Sequence, residues 1–280
     1  MKQVVPALRA FLAMVLILVV GEIVFRRLVV PALGITLTNS PDFSQWPGML
    51  IVGLLLPLVT VALSLALFTL VDRRPLSDFG LGMPGPAQLV GWGGLGIMLL
   101  GFGVLIAVTQ ASGRADWGWA QNLSRTSVLT VVAVYVGTGI WEEFFFRGYL
   151  YTTLTDYSRA TAYVVSILFF TFIHFTEESL QPTRLVALLL TSFLYTYAYD
   201  RTGSIWPGVI LHGGWDLVNF FVVGNERGIS LLTVSGPVAT PDRVYGIVLD
   251  VVLIALVWVV TRRRAATRTR VPLEDAALRA

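Results

Sequence analysis

The chain has 280 residues, of which 55% are hydrophobic and 13% charged, and it contains no cysteine. Soluble domains carry roughly 25% charged residues, so water is not its main solvent, and disulfides, thiolate metal ligands and cysteine nucleophiles are excluded. The net charge of +3 rests on 19 Arg and the single Lys2, and its concentration in Arg262, Arg263, Arg264, Arg268 and Arg270 is a membrane-surface and topology signal rather than a nucleic-acid one.

Apolar runs near the length of about 20 residues that crosses a bilayer predict eight spans, at roughly 7–25, 48–71, 87–109, 128–155, 160–176, 183–199, 205–223 and 244–261. The expected fold class is all-α, a polytopic membrane helix bundle of about eight transmembrane helices. It forms one integral membrane domain over 1–280, with no linker, internal repeat or low-complexity segment.

The first run resembles a signal peptide, with Lys2 and Arg9 ahead of Phe11 to Val20. No small-x-small cleavage site follows, and the run continues past Glu22 to stop at Arg26 and Arg27, so it reads as a retained helix. Before the seventh span Ser204 is positioned to cap the helix, and Pro207 suits its first turn. An even number of spans puts both termini on one side. The basic tail, 262–280, marks that side as cytoplasmic, with twelve basic residues inside against seven outside.

A charge at mid-bilayer costs about 2.5 to 3.5 kcal/mol on insertion scales, so each one needs a reason. Span four contains Trp141-Glu142-Glu143-Phe144-Phe145-Phe146-Arg147. Positions four apart share a helix face, so Glu143 and Arg147 are expected to form an ion pair, whereas Glu142 has no local partner. It must meet another helix, take up a proton or bind a metal. The chain's only two histidines, His174 and His212, fall in spans five and seven.

A turn near Ser158 leaves Glu142 and His174 equidistant from it, at equal depth, about 24 Å along an antiparallel hairpin. His212 is fewer residues from its own turn, a mismatch that tilt or a helix extending past the surface can absorb. Phe170 lies one turn from His174, on the same face. Asp216 lies one turn after His212, with Asn219 further along, and Gly213 and Gly214 allow another helix close to the histidine. Glu22 and Asp250, near the outer helices, read as structural.

Three ordered motifs, Glu-Glu-x-x-x-Arg at 142–147, Phe-x-x-x-His at 170–174 and His-x-x-x-Asp at 212–216, resemble the CPBP family of intramembrane proteases, also called the CAAX prenyl protease 2 or Abi type. The resemblance covers about 127–220, which it marks as the catalytic core. It implies peptide-bond hydrolysis in the membrane, with Glu142 and His174 activating a water and His212 with residue 216 stabilising the oxyanion. Family members carry Asn or Asp at that position. An ionised Asp cannot donate to an oxyanion, so Asp216 is either protonated or orients His212.

The cofactor is either none or a divalent metal such as zinc. Glu142, His174 and His212 match a His/His/Glu set with one position open for water, while a metal-free reaction with Glu142 as general base uses the same residues. The implied partners are a membrane-anchored peptide or protein substrate and the lipid bilayer, with no nucleic acid, and the implied setting is the plasma membrane of a prokaryote. The competing readings are an ion- or proton-coupled transporter and a non-catalytic scaffold. Against the transporter stands the lack of repeat halves and of paired broken helices.

Overall fold

The computed structural model describes residues 4–35, 46–121, 123–174, 181–222, 230–236 and 243–262. The basic tail beyond Arg262 and the side chain of Glu22 lie outside them. Eight helical segments follow in chain order: α1 (4–32), α2 (46–71), α3 (Gly85–Ala111), α4 (Arg125–Thr155), α5 (Arg159–Ile173), α6 (Pro182–Thr202), α7 (206–222) and α8 (Arg243–Thr261). The fold is the expected all-α membrane bundle. Three segments, Gly48–Val71, Gly85–Ala111 and Arg125–Thr155, are long and apolar enough to cross a membrane by themselves, and Arg159–Ile173 and Tyr245–Thr261 are shorter apolar helices.

The exterior is apolar and the interior holds the polar groups. Leu58, Leu100, Leu129, Val164 and Val251 point outward, whereas Glu142, Glu143, Arg147, His212 and Asp250 are buried. In hydrocarbon every backbone group must be paired within the chain, which helices achieve. Hydroxyls inside the helices pair in the same way: Thr130 donates to the Thr126 carbonyl, Thr138 to Val134 and Thr202 to Ala198.

Helix starts follow local chemistry. Ser124 and Ser127 form a reciprocal capping box ahead of α4, and the Ser158 hydroxyl accepts from Thr161 N–H at the start of α5. The Ser204 hydroxyl accepts from Trp206 N–H at 3.3 Å, and Pro207 occupies the first turn of α7.

Two local expectations change. The apolar run of the first span ends at Arg26 and Arg27, yet α1 continues through Ala32, because arginine is a good helix former and marks a polarity boundary, not a backbone break. A short antiparallel ribbon also joins β1 (Asp116–Trp119) to β2 (Leu232–Ser235), pairing Asp116 with Ser235 and Trp119 with Leu232. It is polar and aromatic, lies between helices, and has no long apolar run to announce it.

Helix α4 packs between α2 and α7, α7 also meets α3, and α6 lies between α5 and α8. The α4–α7 contact depends on small residues. A Cβ on Gly139 would stand 2.7 Å from the Gly213 backbone nitrogen, so only glycine permits this approach of the two backbones.

Candidate active site

Glu142 and Glu143 are the last residues of the α-helical part of α4, and the chain then widens into a π-helical stretch, Phe144–Tyr151, every residue of which is buried. Such wide turns are frequent at functional sites. The expected ion pair is present: Arg147 Nη1 donates to Glu143 Oε1 at 2.6 Å, both side chains fully buried. Arg147 Nη2 donates to the carbonyl and hydroxyl of Ser192 on α6, at 3.1 and 3.2 Å. The guanidinium also lies over the rings of Phe170, Tyr195 and Phe146, at 4.7, 5.4 and 5.7 Å, positions where an aromatic face attracts a cation.

Glu143 has a second function that its pairing with Arg147 does not reveal. Its Oε1 lies 3.2 Å from His212 Nδ1, and since a carboxylate only accepts, Nδ1 carries the proton. Room for the carboxyl comes from α7, where a Cβ on Gly208 would collide with Glu143 Oε2.

Glu142 differs. It is buried, its Oε2 has no hydrogen-bond partner among the described residues, and that oxygen lies 3.9 Å from His212 Nε2. Asp216 Oδ2 lies 3.8 Å from the same Nε2. Three carboxylates therefore surround one imidazole, one at Nδ1 and two facing Nε2.

The His212 ring is held on its faces as well. Tyr195 stacks on it with centroids 5.1 Å apart and an interplanar angle of 21°, and Phe170 meets it edge-on at 5.8 Å. Phe170 also contacts the His174 ring at 4.6 Å, so both histidines touch one phenyl group. His174 caps the C-terminus of α5, and its Nδ1–H donates to the Phe170 carbonyl at 2.8 Å. Because a carbonyl only accepts, the lone pair of neutral His174 is on Nε2.

The depth mismatch expected for His212 is resolved by the turn before α7. Ser204 and Ile205 are buried, Ile205 N–H donates to the Gly80 carbonyl, and Trp206 Nε1–H donates to that of Leu81. The turn thus lies inside the protein beneath the loop carrying the 3-10 turn Leu76–Phe79, and a shorter run of helix brings His212 to the level of Glu142.

Glu142, Glu143, Arg147, His212 and Asp216 are thus together, with His174 joined to them across Phe170. Asn219 is buried further along α7. Asp250 is away from this group, buried and accepting from the Thr191 hydroxyl at 2.6 Å. Ser192, Tyr195 and Gly208 are additions that sequence reasoning misses. Nothing in Ser192-Phe193-Leu194-Tyr195-Thr196-Tyr197-Ala198-Tyr199 distinguishes one tyrosine from the others until α6 is packed.

Residues 124–218 match the family model described as type II CAAX prenyl endopeptidase Rce1-like. This segment is similar to the Rce1-like family. It includes all seven residues of the three motifs, in agreement with the resemblance read from the sequence. No curated protein and no solved structure matches the chain. Similarity to this protease family over part of the chain and the long apolar helices identify an integral membrane protein.

Among the described residues no three His, Cys, Asp or Glu side chains converge closely enough to hold an ion. His212 and His174 each have Nδ1 engaged, by Glu143 and by the Phe170 carbonyl, which leaves Nε2 as the nitrogen that either ring can present. The site holds buried carboxylates and two imidazoles.

Proposed function

We propose that the protein is an intramembrane endopeptidase that hydrolyses a peptide bond of a membrane-associated protein or peptide, with a catalytic core of about 127–220. The observation that carries this reading is the unpartnered, buried Oε2 of Glu142 facing His212 Nε2, next to a second glutamate whose Oε1 is held by Arg147 and His212. A buried carboxylate left without a partner is expensive, and poised general bases are commonly of this kind.

In the proposed reaction, Glu142 takes a proton from a water held also by the Nε2 lone pair of His174. The resulting hydroxide attacks the carbonyl carbon, the C=O pair moves to oxygen, and the oxyanion is met by His212 Nε2–H and by Asp216. Collapse breaks the C–N bond, and Glu142 returns its proton to the leaving amine. With Nδ1–H on Glu143, His212 donates at Nε2 only as the doubly protonated cation, for which Glu142 and Glu143 supply compensating negative charge. Asp216 acts as the neutral acid, since an ionised carboxylate cannot donate. No step runs through a metal. The setting is the plasma membrane of a prokaryote, with both termini cytoplasmic, supported by the basic residues after α8.

The test is cleavage of a panel of membrane-tethered peptides by wild type and Glu142→Gln, both shown to be folded, with and without chelator. The expected result is a loss of about 10²- to 10⁴-fold in Glu142→Gln and no effect of chelation. Equal cleavage by the two proteins removes Glu142 from the chemistry, and loss with chelator reversed by zinc restores the metal mechanism.

A further inference from the structure

Within the proposed reaction His212 must present Nε2 to a site between Glu142 and Asp216 while keeping Nδ1 on Glu143. The single hydrogen bond at Nδ1, 3.2 Å long, fixes one atom of the ring. It leaves the imidazole free to rock about that point, which would swing Nε2 away from the Glu142 and Asp216 oxygens, now at 3.9 and 3.8 Å. A second constraint is needed on the plane of the ring.

We propose that Tyr195 of α6 is a positioning residue that sets the plane of the His212 imidazole through its ring, not through its hydroxyl. The near-parallel stack, 5.1 Å between centroids and 21° between planes, lies within the range preferred by aromatic pairs. Phe170 closes the adjoining side edge-on. The Tyr195 ring is itself fully packed: it lies under the Arg147 guanidinium at 5.4 Å and meets the Phe170 ring at 86°.

Its helix is also held in place on two sides. One turn before Tyr195, Thr191 donates to Asp250 of α8 at 2.6 Å, and the neighbouring Ser192 accepts from Arg147 of α4. The platform under the imidazole is therefore fixed to two other helices and cannot withdraw without breaking both attachments. Arg147, Glu143, His212 and Tyr195 form one unit drawn from α4, α7 and α6, and a change in Tyr195 acts on the chemistry only through His212.

The kinetic consequence rests on the endopeptidase reading, whereas the geometry can be tested without it. Tyr195→Phe keeps the ring and Tyr195→Leu removes it at comparable apolar burial. With histidine-labelled full-length protein in detergent, NMR sees only two imidazoles, and His174→Asn assigns the remaining one to His212. The expected result is an upfield ring-current shift of the His212 C–H protons in wild type and Tyr195→Phe that is lost in Tyr195→Leu.

In cleavage assays Tyr195→Phe retains wild-type rates. Tyr195→Leu loses kcat about 10- to 100-fold with KM within about twofold, the effect of a displaced reacting group on a bound substrate. Unchanged His212 shifts in Tyr195→Leu overturn the proposal, and so does a Phe variant as impaired as the Leu variant. Ring-current shifts as expected in a wild-type protein that cleaves none of the peptides uphold the positioning and reject the endopeptidase reading.

Discussion

At one end of the bundle Asp200 accepts from Arg159, from Tyr151 at 2.8 Å and from Tyr163 at 3.0 Å, and Arg74 reaches both Asp156 and the Thr152 carbonyl. In the middle, Glu143 holds Arg147 and His212. Both regions use a carboxylate as the centre of a network, but their solvation differs. The Arg159 side chain is 64% exposed, while those of Glu143 and Arg147 are fully buried. Water can stand in for a broken hydrogen bond at the end of the bundle but not in the middle. The unequal partnering of two adjacent glutamates, with Glu143 Oε1 bonded to Arg147 and His212 and Glu142 Oε2 without a partner among the described residues, therefore carries more weight in the middle.

The largest test of that contrast removes one cation from each region. Arg147→Ala leaves the Glu143 charge buried beside Glu142 and is expected to destabilise the fold by about 3 to 5 kcal/mol. Arg159→Ala removes an exposed partner and is expected to change stability by about 0 to 1 kcal/mol. Thermal unfolding of the two variants in one detergent measures both, and equal shifts would remove the distinction between the regions.

A second experiment separates packing from chemistry inside the buried network. Glu143→Leu combined with Arg147→Met removes both charges, and apolar replacement of a complete buried pair is often neutral or stabilising. Stability is expected to return to within about 2 kcal/mol of wild type. Cleavage is nevertheless expected to fall about a hundredfold, because His212 has lost the acceptor that orients Nδ1. Full recovery of cleavage would reduce Glu143 to the ion-pair role its spacing from Arg147 alone implies.

Much of this arrangement is legible in the sequence, and the limits are physical. Apolar run length marks the helices, and i,i+4 spacing marks the Glu143–Arg147 pair, because both depend only on local geometry. Equal distance from Ser158 predicts Glu142 and His174 at one level, and of that reading the structure shows the cap of α5 at this serine. What escapes depends on how separate helices face each other. The bond from Glu143 to His212, the seat beside Gly208 and the Tyr195 stack all cross between helices whose rotation no single-chain pattern fixes. The π-helical stretch after Glu143 escapes for another reason: Phe144–Phe145–Phe146 fits an α-helix equally well, and only the backbone hydrogen bonding of the folded chain shows the wider turn.

The smallest expected effect is the most discriminating for Asp216. Its Oδ2 lies 3.8 Å from His212 Nε2, on the side opposite the Nδ1 that Glu143 occupies, so it is not the group that fixes the tautomer. That leaves it facing the place where an oxyanion would form. If it acts there as a neutral acid, Asp216→Asn substitutes one N–H donor for one O–H donor and cleavage should remain within about threefold of wild type, whereas Asp216→Ala should lose about 10²-fold or more. An ionised Asp216 that instead steadies the imidazolium through its charge predicts a different pattern. Asparagine would then be as poor as alanine, because both delete the charge. Single-turnover cleavage by the three proteins, compared at saturating substrate, distinguishes the two.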